Sequence, residues 1–215
     1  ATYEDLMDLI EELICSLALE IKGSLVFEYG GAEIDMTRPW KRINVIEYLE
    51  VTLGKEFLAD DGKLYDKAHS LGVDHKRIRG KAIVEIFEKI AAAELMNPAF
   101  VYGFPLDVSP LARKNEADPD ITDRFELYIT GREIANAFSE LNDPIDQKER
   151  FRGQLDLKLR GEEEVHEMDE DFVTALEHGM PPTAGAGIGI DRLVMLLTNS
   201  PSIREVIFFP HLRPE

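Results

Sequence analysis

Four polar side chains between residues 126 and 140 could carry chemistry. Glu126 and Glu133 flank a turn at Gly131, so their carboxylates lie on neighbouring predicted strands and can share a hard cation such as Mg²⁺. Asn136 and Glu140 follow at an even spacing and therefore share one face of the second strand. Glu133 is out of phase with them, so a β-bulge between Glu133 and Asn136 is needed to bring all four to one site.

Each of these positions also has a purely structural interpretation. Glu126 and Glu133 can be outward-facing residues of half-buried strands, and Phe138 can be a core residue. Asn136 and Glu140 alternate with apolar residues near a turn, and a buried carboxylate needs a partner, which the ammonium group of a ligand would supply. The hairpin taken alone leaves both interpretations open.

A glycine-rich strand near the end of the sequence is the second candidate. Gly185, Gly187 and Gly189 recur at period two, so one face of this strand carries no side chains. Asp191 and Arg192 follow, where the apolar spacing changes to that of a helix. A bare surface beside an arginine suits a planar ring with a phosphate, although the three glycines alone favour plain close packing.

The elements that position these residues are hairpins and separate runs of helix. Apolar spacing and turn residues predict helices at 3–21, 44–54, 64–71, 81–96, 144–160 and 171–178. Alternation predicts strands at 24–29, 32–36, 99–104, 123–130, 133–141, 183–190 and 205–209. This order predicts an α+β fold with a largely antiparallel sheet, interrupted by a helical insert at about 42–96.

Composition narrows the class of protein. The 215 residues, 44% of them hydrophobic, are enough for one large domain or two small ones. The net charge of −18 opposes non-specific binding of a polyanion, but a nucleotide can still be held through a metal ion. No apolar run reaches the ~18 residues of a membrane helix, and no secretory signal is visible. The single cysteine, Cys15, fits a reducing compartment, and we expect a cytoplasmic protein.

Several common catalytic motifs are missing from the sequence. It contains no phosphate-binding loop of the form G-x-x-x-x-G-K-[ST], no dinucleotide fingerprint and no G-x-S-x-G nucleophile elbow. Its five histidines have no zinc-binding spacing. A nucleotide site here would therefore depend on the acidic hairpin and the glycine strand.

Taken together, these stretches resemble the C-terminal part of the catalytic domain of class II lysyl-tRNA synthetases. Residues 124–143, RFELYITGREIANAFSELND, resemble the signature hairpin of that family, and residues 175–192 resemble its motif 3. Residues 1–7 resemble the helix after motif 2, and residues 199–210 resemble the family's ending. The resemblance covers residues 1–215 and implies a partial catalytic domain with an antiparallel sheet flanked by helices.

The resemblance also implies an activity and its substrates. The family activates lysine with ATP to lysyl-adenylate and transfers lysine to tRNA-Lys, with Mg²⁺ bound to ATP. Its members imply a homodimeric full-length protein without a membrane segment. Catalysis would come from positioning and charge stabilisation, because no residue acts as a covalent nucleophile.

Residue roles follow from the same resemblance. Glu126 and Glu133 would hold Mg²⁺, and Arg192, the implied catalytic residue, would cover the adenine and reach the terminal phosphate. The implied nucleotide-binding positions are Glu126, Leu127, Asn136, Gly189, Ile190, Asp191 and Arg192. The implied lysine-binding positions are Asn136, Phe138, Glu140, Gly185 and Gly187, with Glu140 paired to the ε-ammonium group.

The sequence departs from the family pattern in what it lacks. The anticodon-binding domain, motif 1 and motif 2 of the family would lie before residue 1, so we expect a fragment of a longer enzyme, a cleaved product or a split protein. Two alternatives are a lysine-adenylating paralogue that modifies a protein and a non-catalytic module that binds lysine or ATP. The helical insert and the ending after residue 197 favour the synthetase.

Overall fold

The computed structural model describes residues 1–75, 77–91, 94–159, 161–162 and 165–209. Its helices are α1 (Tyr3–Lys22), α2 (Val45–Leu53), α3 (Lys55–Leu58), α4 (Asp61–Ser70), α5 (Arg79–Ala91), α6 (Pro144–Leu159), α7 (Glu170–Glu177) and α8 (Ile190–Thr198). Its strands are β1 (Val26–Tyr29), β2 (Ala32–Asp35), β3 (Lys41–Asn44), β4 (Ala99–Tyr102), β5 (Arg124–Ile129), β6 (Arg132–Ser139) and β7 (Ala184–Ile188). Short 3-10 turns lie at Leu106–Val108 and Ile203–Glu205.

Five strands form the main sheet in the order β3-β4-β5-β6-β7, and β1 pairs with β2 in a separate hairpin. The pairs β4–β5, β5–β6 and β6–β7 are antiparallel, as the sequence predicts. The pair β3–β4 is parallel. Parallel neighbours need a long crossover connection, and the helices of the insert provide it. The α+β prediction is confirmed, with one parallel pair added at the edge of the sheet.

Local signals explain two of the helix starts. The side chain of Asn44 accepts hydrogen bonds from the backbone N–H groups of Ile46 and Glu47 and so caps α2. The helix α6 begins at Pro144, and its preceding residue, Asp143, accepts from two N–H groups of the first turn. Both predicted starts are therefore confirmed.

The predicted strand at 205–209 is wrong. Glu205 ends a 3-10 turn, and the residues after it join no strand of the described chain. The apolar run there has the composition of a strand, but a strand also needs a partner edge. Phe208 and Phe209 are instead 93% and 92% exposed. The sequence also predicts helix at residues 92, 93 and 160, which lie outside the described residues.

The central strands β4 and β5 are buried on both faces of the sheet. On one face, α1, α8 and the β1–β2 hairpin pack against the alternate residues Phe125, Leu127 and Ile129 of β5. On the other face, the insert helices pack against β3 and β4, and Tyr128 joins that second core. The polar positions of β5 and β6 therefore lie beside the insert. Among the described helices, none is long and apolar enough to span a membrane.

The first turn of α5 is hydrogen-bonded to the loop that follows β4. The backbone N–H of Gly80 donates to Asp107 Oδ2 at 2.9 Å. A Cβ atom at Gly80 would collide with the Asp107 carboxylate and lie 2.9 Å from Cβ of Pro105. Gly153, in the interior of α6, is the opposite case, since a Cβ there would meet no atom within 4 Å.

We expect Gly80→Ala to lower the free energy of unfolding by about 1–3 kcal/mol, because the added methyl displaces Asp107 and presses on Pro105. Gly153→Ala is the matched control, and it should raise stability by up to about 1 kcal/mol through helix propensity alone. Equilibrium urea denaturation compares the two. Equal effects would show that helix propensity, and not the contact with Asp107, governs position 80.

Candidate active site

A β-bulge sets the geometry of the site. Glu126 of β5 lies opposite Asn136 of β6, but Tyr128 lies opposite Glu133, so Ile134 is an extra residue in β6. The extra residue places Glu133 and Asn136 on the same face, while the side chain of Ile134 is buried in the core of the opposite face. The predicted bulge is confirmed, and it brings the acidic residues of both strands together.

Arg124, on β5, connects polar side chains of the two strands with the loop that follows β4. Its Nη2 donates to Glu126 Oε1 at 2.6 Å, and its Nε donates to Asn136 Oδ1 at 3.2 Å. Its Nη1 donates to the carbonyl of Val108 and to Oγ of Ser109, both at 3.0 Å. No sequence pattern predicts a role for Arg124, although its spacing of two from Glu126 puts both residues on one face.

The second oxygen of Glu126 contacts Tyr128, whose hydroxyl donates to Oε2 at 2.8 Å. The same hydroxyl lies 2.9 Å from Oε1 of Glu88, a residue of α5. A phenol has one proton, so the hydroxyl donates to only one of these two carboxylates at a time. Burial raises the pKa of Glu88, the hydrogen bond with Tyr128 opposes this shift, and the charge of Glu126 adds to it. The sequence held no signal that the insert would reach this cluster.

Glu133 meets Arg192, which lies in the first turn of α8. Arg192 Nη1 donates to the carbonyl oxygen of Glu133 at 2.5 Å and lies 3.8 Å from its carboxylate. Burial raises the pKa of Glu133 and the charge of Glu126 adds to this, while Arg192 opposes it. Two carboxylates that disfavour each other's charge are stabilised by a cation between them. Among the described residues, however, no group of three or more potential metal-binding side chains occurs.

The strand β7 places Gly185 and Gly187 next to β6. Their face without side chains is called the glycine floor below. Gly187 of β7 lies opposite Asn136, and Gly185 lies opposite Phe138. A Cβ atom at Gly185 would collide with the carboxylate of Glu140, so a larger residue there would displace the end of this side chain. A Cβ at Gly187 would meet its nearest atom at 3.9 Å, so that face is open. The glycines therefore serve an open surface as well as close packing.

Glu140 has an unusual environment for an acidic side chain. In the described part of the chain its carboxylate forms no hydrogen bond or ion pair, and burial raises its pKa. A partly buried carboxylate without a protein partner can accept the cationic group of a ligand.

The structure thus brings most of the predicted positions to one face of β5–β7. It does not bring the side chain of Leu127, which is fully buried in the opposite core. Ile190 is 63% exposed, and it lies with Asp191 at the start of α8, next to Arg192.

The α+β fold with its largely antiparallel sheet is consistent with a class II tRNA synthetase domain. The sequence matches the family "tRNA synthetases class II (D, K and N)" over residues 1–213, and the chain belongs to this family.

Relatives within the family carry a more specific name. The chain is 52% identical to a Lysine--tRNA ligase of Carboxydothermus hydrogenoformans over 218 residues, which cover 100% of this chain and 45% of the relative. It is 50% identical to the Lysine--tRNA ligase of Bacillus subtilis and 49% identical to one of Staphylococcus aureus, each match covering 99% of this chain and 44% of the relative. The chain therefore spans less than half the length of these relatives.

We expect Glu140→Gln to stabilise the protein without ligands by up to about 1 kcal/mol near neutral pH, because burial disfavours the charged carboxylate while solvent screens part of this cost. Because the folded pKa of Glu140 is raised, the unfolded state releases this proton first, so the wild type loses stability as pH rises between the two pKa values. The difference between the proteins should disappear below the ordinary glutamate pKa of 4.5. Urea denaturation across pH measures it.

Glu167→Gln is the control, because Glu167 pairs with Lys158 at 2.7 Å on the surface and its pKa is lowered by that pair. This change should leave stability the same or slightly lower at neutral pH. A Glu140→Gln protein that is less stable than wild type near neutral pH would contradict the unpaired state of Glu140.

Proposed function

We propose that this chain is the C-terminal part of the catalytic domain of a lysine--tRNA ligase. The full-length protein then activates lysine with ATP and transfers the lysyl group to tRNA-Lys. One observation carries the proposal: the carboxylate of Glu140, which has no partner among the residues that the structure describes, lies over Gly185 on the glycine floor. An identity of 49–52% to lysine--tRNA ligases supports it.

Lysine binds in this proposal with its ε-ammonium group at Glu140. A charge-assisted hydrogen bond between ammonium and carboxylate is about twice as strong as a neutral one, and it favours lysine over amino acids without a terminal cation. Phe138 packs against the aliphatic part of the substrate, since it lies on the same face of β6. Gly185 and Gly187 leave room for the substrate, because they carry no side chains on this face.

Mg²⁺ fits the pair Glu126 and Glu133. Mg²⁺ prefers oxygen ligands and is usually coordinated by one or two carboxylates together with phosphate oxygens and water. A site with two carboxylates therefore suits it better than a site made of protein ligands alone. Each carboxylate oxygen of Glu126 accepts one hydrogen bond, from Arg124 or from Tyr128, and keeps a second lone pair. When bound with ATP, Mg²⁺ neutralises negative charge on the phosphates.

Arg192 contacts the nucleotide in this proposal. Its side chain is 49% exposed, and while one N–H group donates to the carbonyl of Glu133 the others can donate to phosphate oxygens. Gly189, Ile190 and Asp191 lie around it at the start of α8. Leu127 acts only through its backbone, because its side chain is buried in the opposite core.

The chemistry of activation is the attack of the lysine carboxylate oxygen on the α-phosphorus of ATP. The bond from the α-phosphorus to the bridging oxygen breaks, and pyrophosphate leaves with its electron pair. The residues of this chain orient the two substrates and stabilise charge, and no covalent bond to the protein is needed.

The wider assignments rest on membership of the family. We propose a cytoplasmic, homodimeric full-length enzyme with tRNA-Lys as its partner. The two alternatives, a lysine-adenylating paralogue that modifies a protein and a non-catalytic module, gain no support, since the relatives described above are all named as lysine--tRNA ligases.

The direct test is ATP–pyrophosphate exchange by the full-length protein. We expect exchange that requires lysine and Mg²⁺, and charging of tRNA-Lys by the same preparation. Residues 1–215 alone should bind ligands without exchange, because the proposal places part of the site outside them. Exchange that is independent of lysine, or robust exchange by residues 1–215 alone, would contradict the proposal.

Glu140→Gln should weaken lysine binding about 10–100-fold, because it removes the charge that faces the ammonium group. Its affinity for ATP should stay close to that of the wild type. Calorimetric titration with each ligand separates the two effects, with Glu167→Gln as a surface control that changes neither. Equal losses for lysine and ATP would count against the assignment of Glu140.

Arg192→Ala should raise the KM for ATP about 10-fold or more, because a charge-assisted bond to phosphate is lost. The KM for lysine should change little. Exchange assays at varied ATP and varied lysine measure both constants, and Arg204→Ala, another exposed arginine, is the matched control. An unchanged KM for ATP would remove Arg192 from the nucleotide site.

A further inference from the structure

Arg124 is largely buried and contacts groups on every side of its guanidinium group. Its side chain is 16% exposed, and its guanidinium carbon lies 4.7 Å from the ring centre of Phe104. Its two terminal nitrogens reach Glu126 on one side and the carbonyl of Val108 and Ser109 on the other. The orientation of Arg124 is therefore fixed by three separate parts of the chain.

The orientation of Asn136 follows from this arginine. An arginine side chain has only N–H donors, so the amide atom that faces Arg124 Nε at 3.2 Å must be the oxygen. The NH₂ group of Asn136 is then directed away from Arg124 and is the group left to meet a ligand. Gly187, opposite Asn136, has no side chain that would compete for it.

The support of Arg124 extends to the helical insert. Val108 belongs to the 3-10 turn Leu106–Val108, and Asp107 of the same turn accepts from the backbone of Gly80 in α5. The insert thus holds the turn, the turn holds Arg124, and Arg124 holds Asn136 and Glu126. Each step is a direct hydrogen bond.

We propose, resting on the function proposed above, that Arg124 is the positioning residue of this site. It presents Asn136 as a hydrogen-bond donor to an anionic oxygen of the substrate, either a carboxylate or a phosphate oxygen, and it does so without touching the substrate. It also keeps the carboxylate of Glu126 in place beside Glu133.

The test is a double-mutant cycle in the full-length protein. Asn136→Ala first identifies the substrate, lysine or ATP, whose KM rises in the exchange assay. Arg124→Lys keeps a positive charge beside Glu126 but lacks the separate Nε and Nη2 groups that reach two residues at once. We expect Arg124→Lys to raise the same KM about 10–100-fold, and the double variant to raise it no further.

Two further variants complete the cycle. The side chain in Asn136→Asp can still accept a hydrogen bond from Arg124 but cannot donate one. This variant should therefore raise the KM for the same substrate that Asn136→Ala affects. Arg113→Lys is the matched control, since Arg113 pairs with Glu116 on the surface, and it should behave like the wild type. The proposal is overturned if Arg124→Lys leaves that KM unchanged, if its effect multiplies with that of Asn136→Ala, or if Asn136→Asp keeps the wild-type KM.

A measurement without substrate separates this proposal from the function on which it rests. With selectively labelled asparagine, the side-chain NH₂ signals of Asn136 are assigned by their loss in Asn136→Ala. They should shift in Arg124→Lys and stay unchanged in Arg113→Lys. Unshifted signals in Arg124→Lys overturn the positioning role even if the enzyme is active, whereas a missing exchange activity in the wild type contradicts only the proposed function.

Discussion

The register of the β5–β6 hairpin decides which side chains share the site. With a regular ladder, Glu133 would point to the face that holds Leu127 and Ile129, and a carboxylate would have to enter an apolar core. The extra residue Ile134 removes this conflict, because its apolar side chain takes the core position and Glu133 turns to the polar face. The contacts that β6 makes with Arg124, with Arg192 on α8 and with the glycine floor of β7 are built on this register.

The site is electrostatically unfavourable in the absence of ligands. Burial raises the pKa values of Glu88, Glu133 and Glu140, and the charge of Glu126 adds to the first two of these shifts. A protein with a net charge of −18 supplies no general compensation. Ligand cations would relieve this strain. The electrostatic cost that lowers the stability of the ligand-free protein would therefore make the binding of a cation more favourable. A site of this kind favours a cation over a neutral ligand.

Much of this arrangement can be predicted from the sequence, because strand periodicity is local. The even spacing of Asn136, Phe138 and Glu140 predicts that they share one face. The odd spacing of Glu133 from them predicts the bulge that the structure contains. Contacts between distant elements are beyond such reasoning: nothing near residue 88 indicates that α5 reaches Tyr128. The failed strand at 205–209 has the same origin, since pairing depends on a partner edge that composition does not reveal.

The parallel pair β3–β4 explains why the insert reaches the site at all. A parallel connection must cross over one face of the sheet, and here the crossing helices lie on the face that carries Glu126. The N-terminus of α5 is tied through Asp107 to the turn that anchors Arg124, and Glu88 on the same helix meets Tyr128. One helix thus supports both oxygens of Glu126, the first through the turn and Arg124 and the second through Tyr128. A shift of α5 along its axis would disturb both supports at once, so the packing of the insert and the geometry of the acidic pair are mechanically coupled.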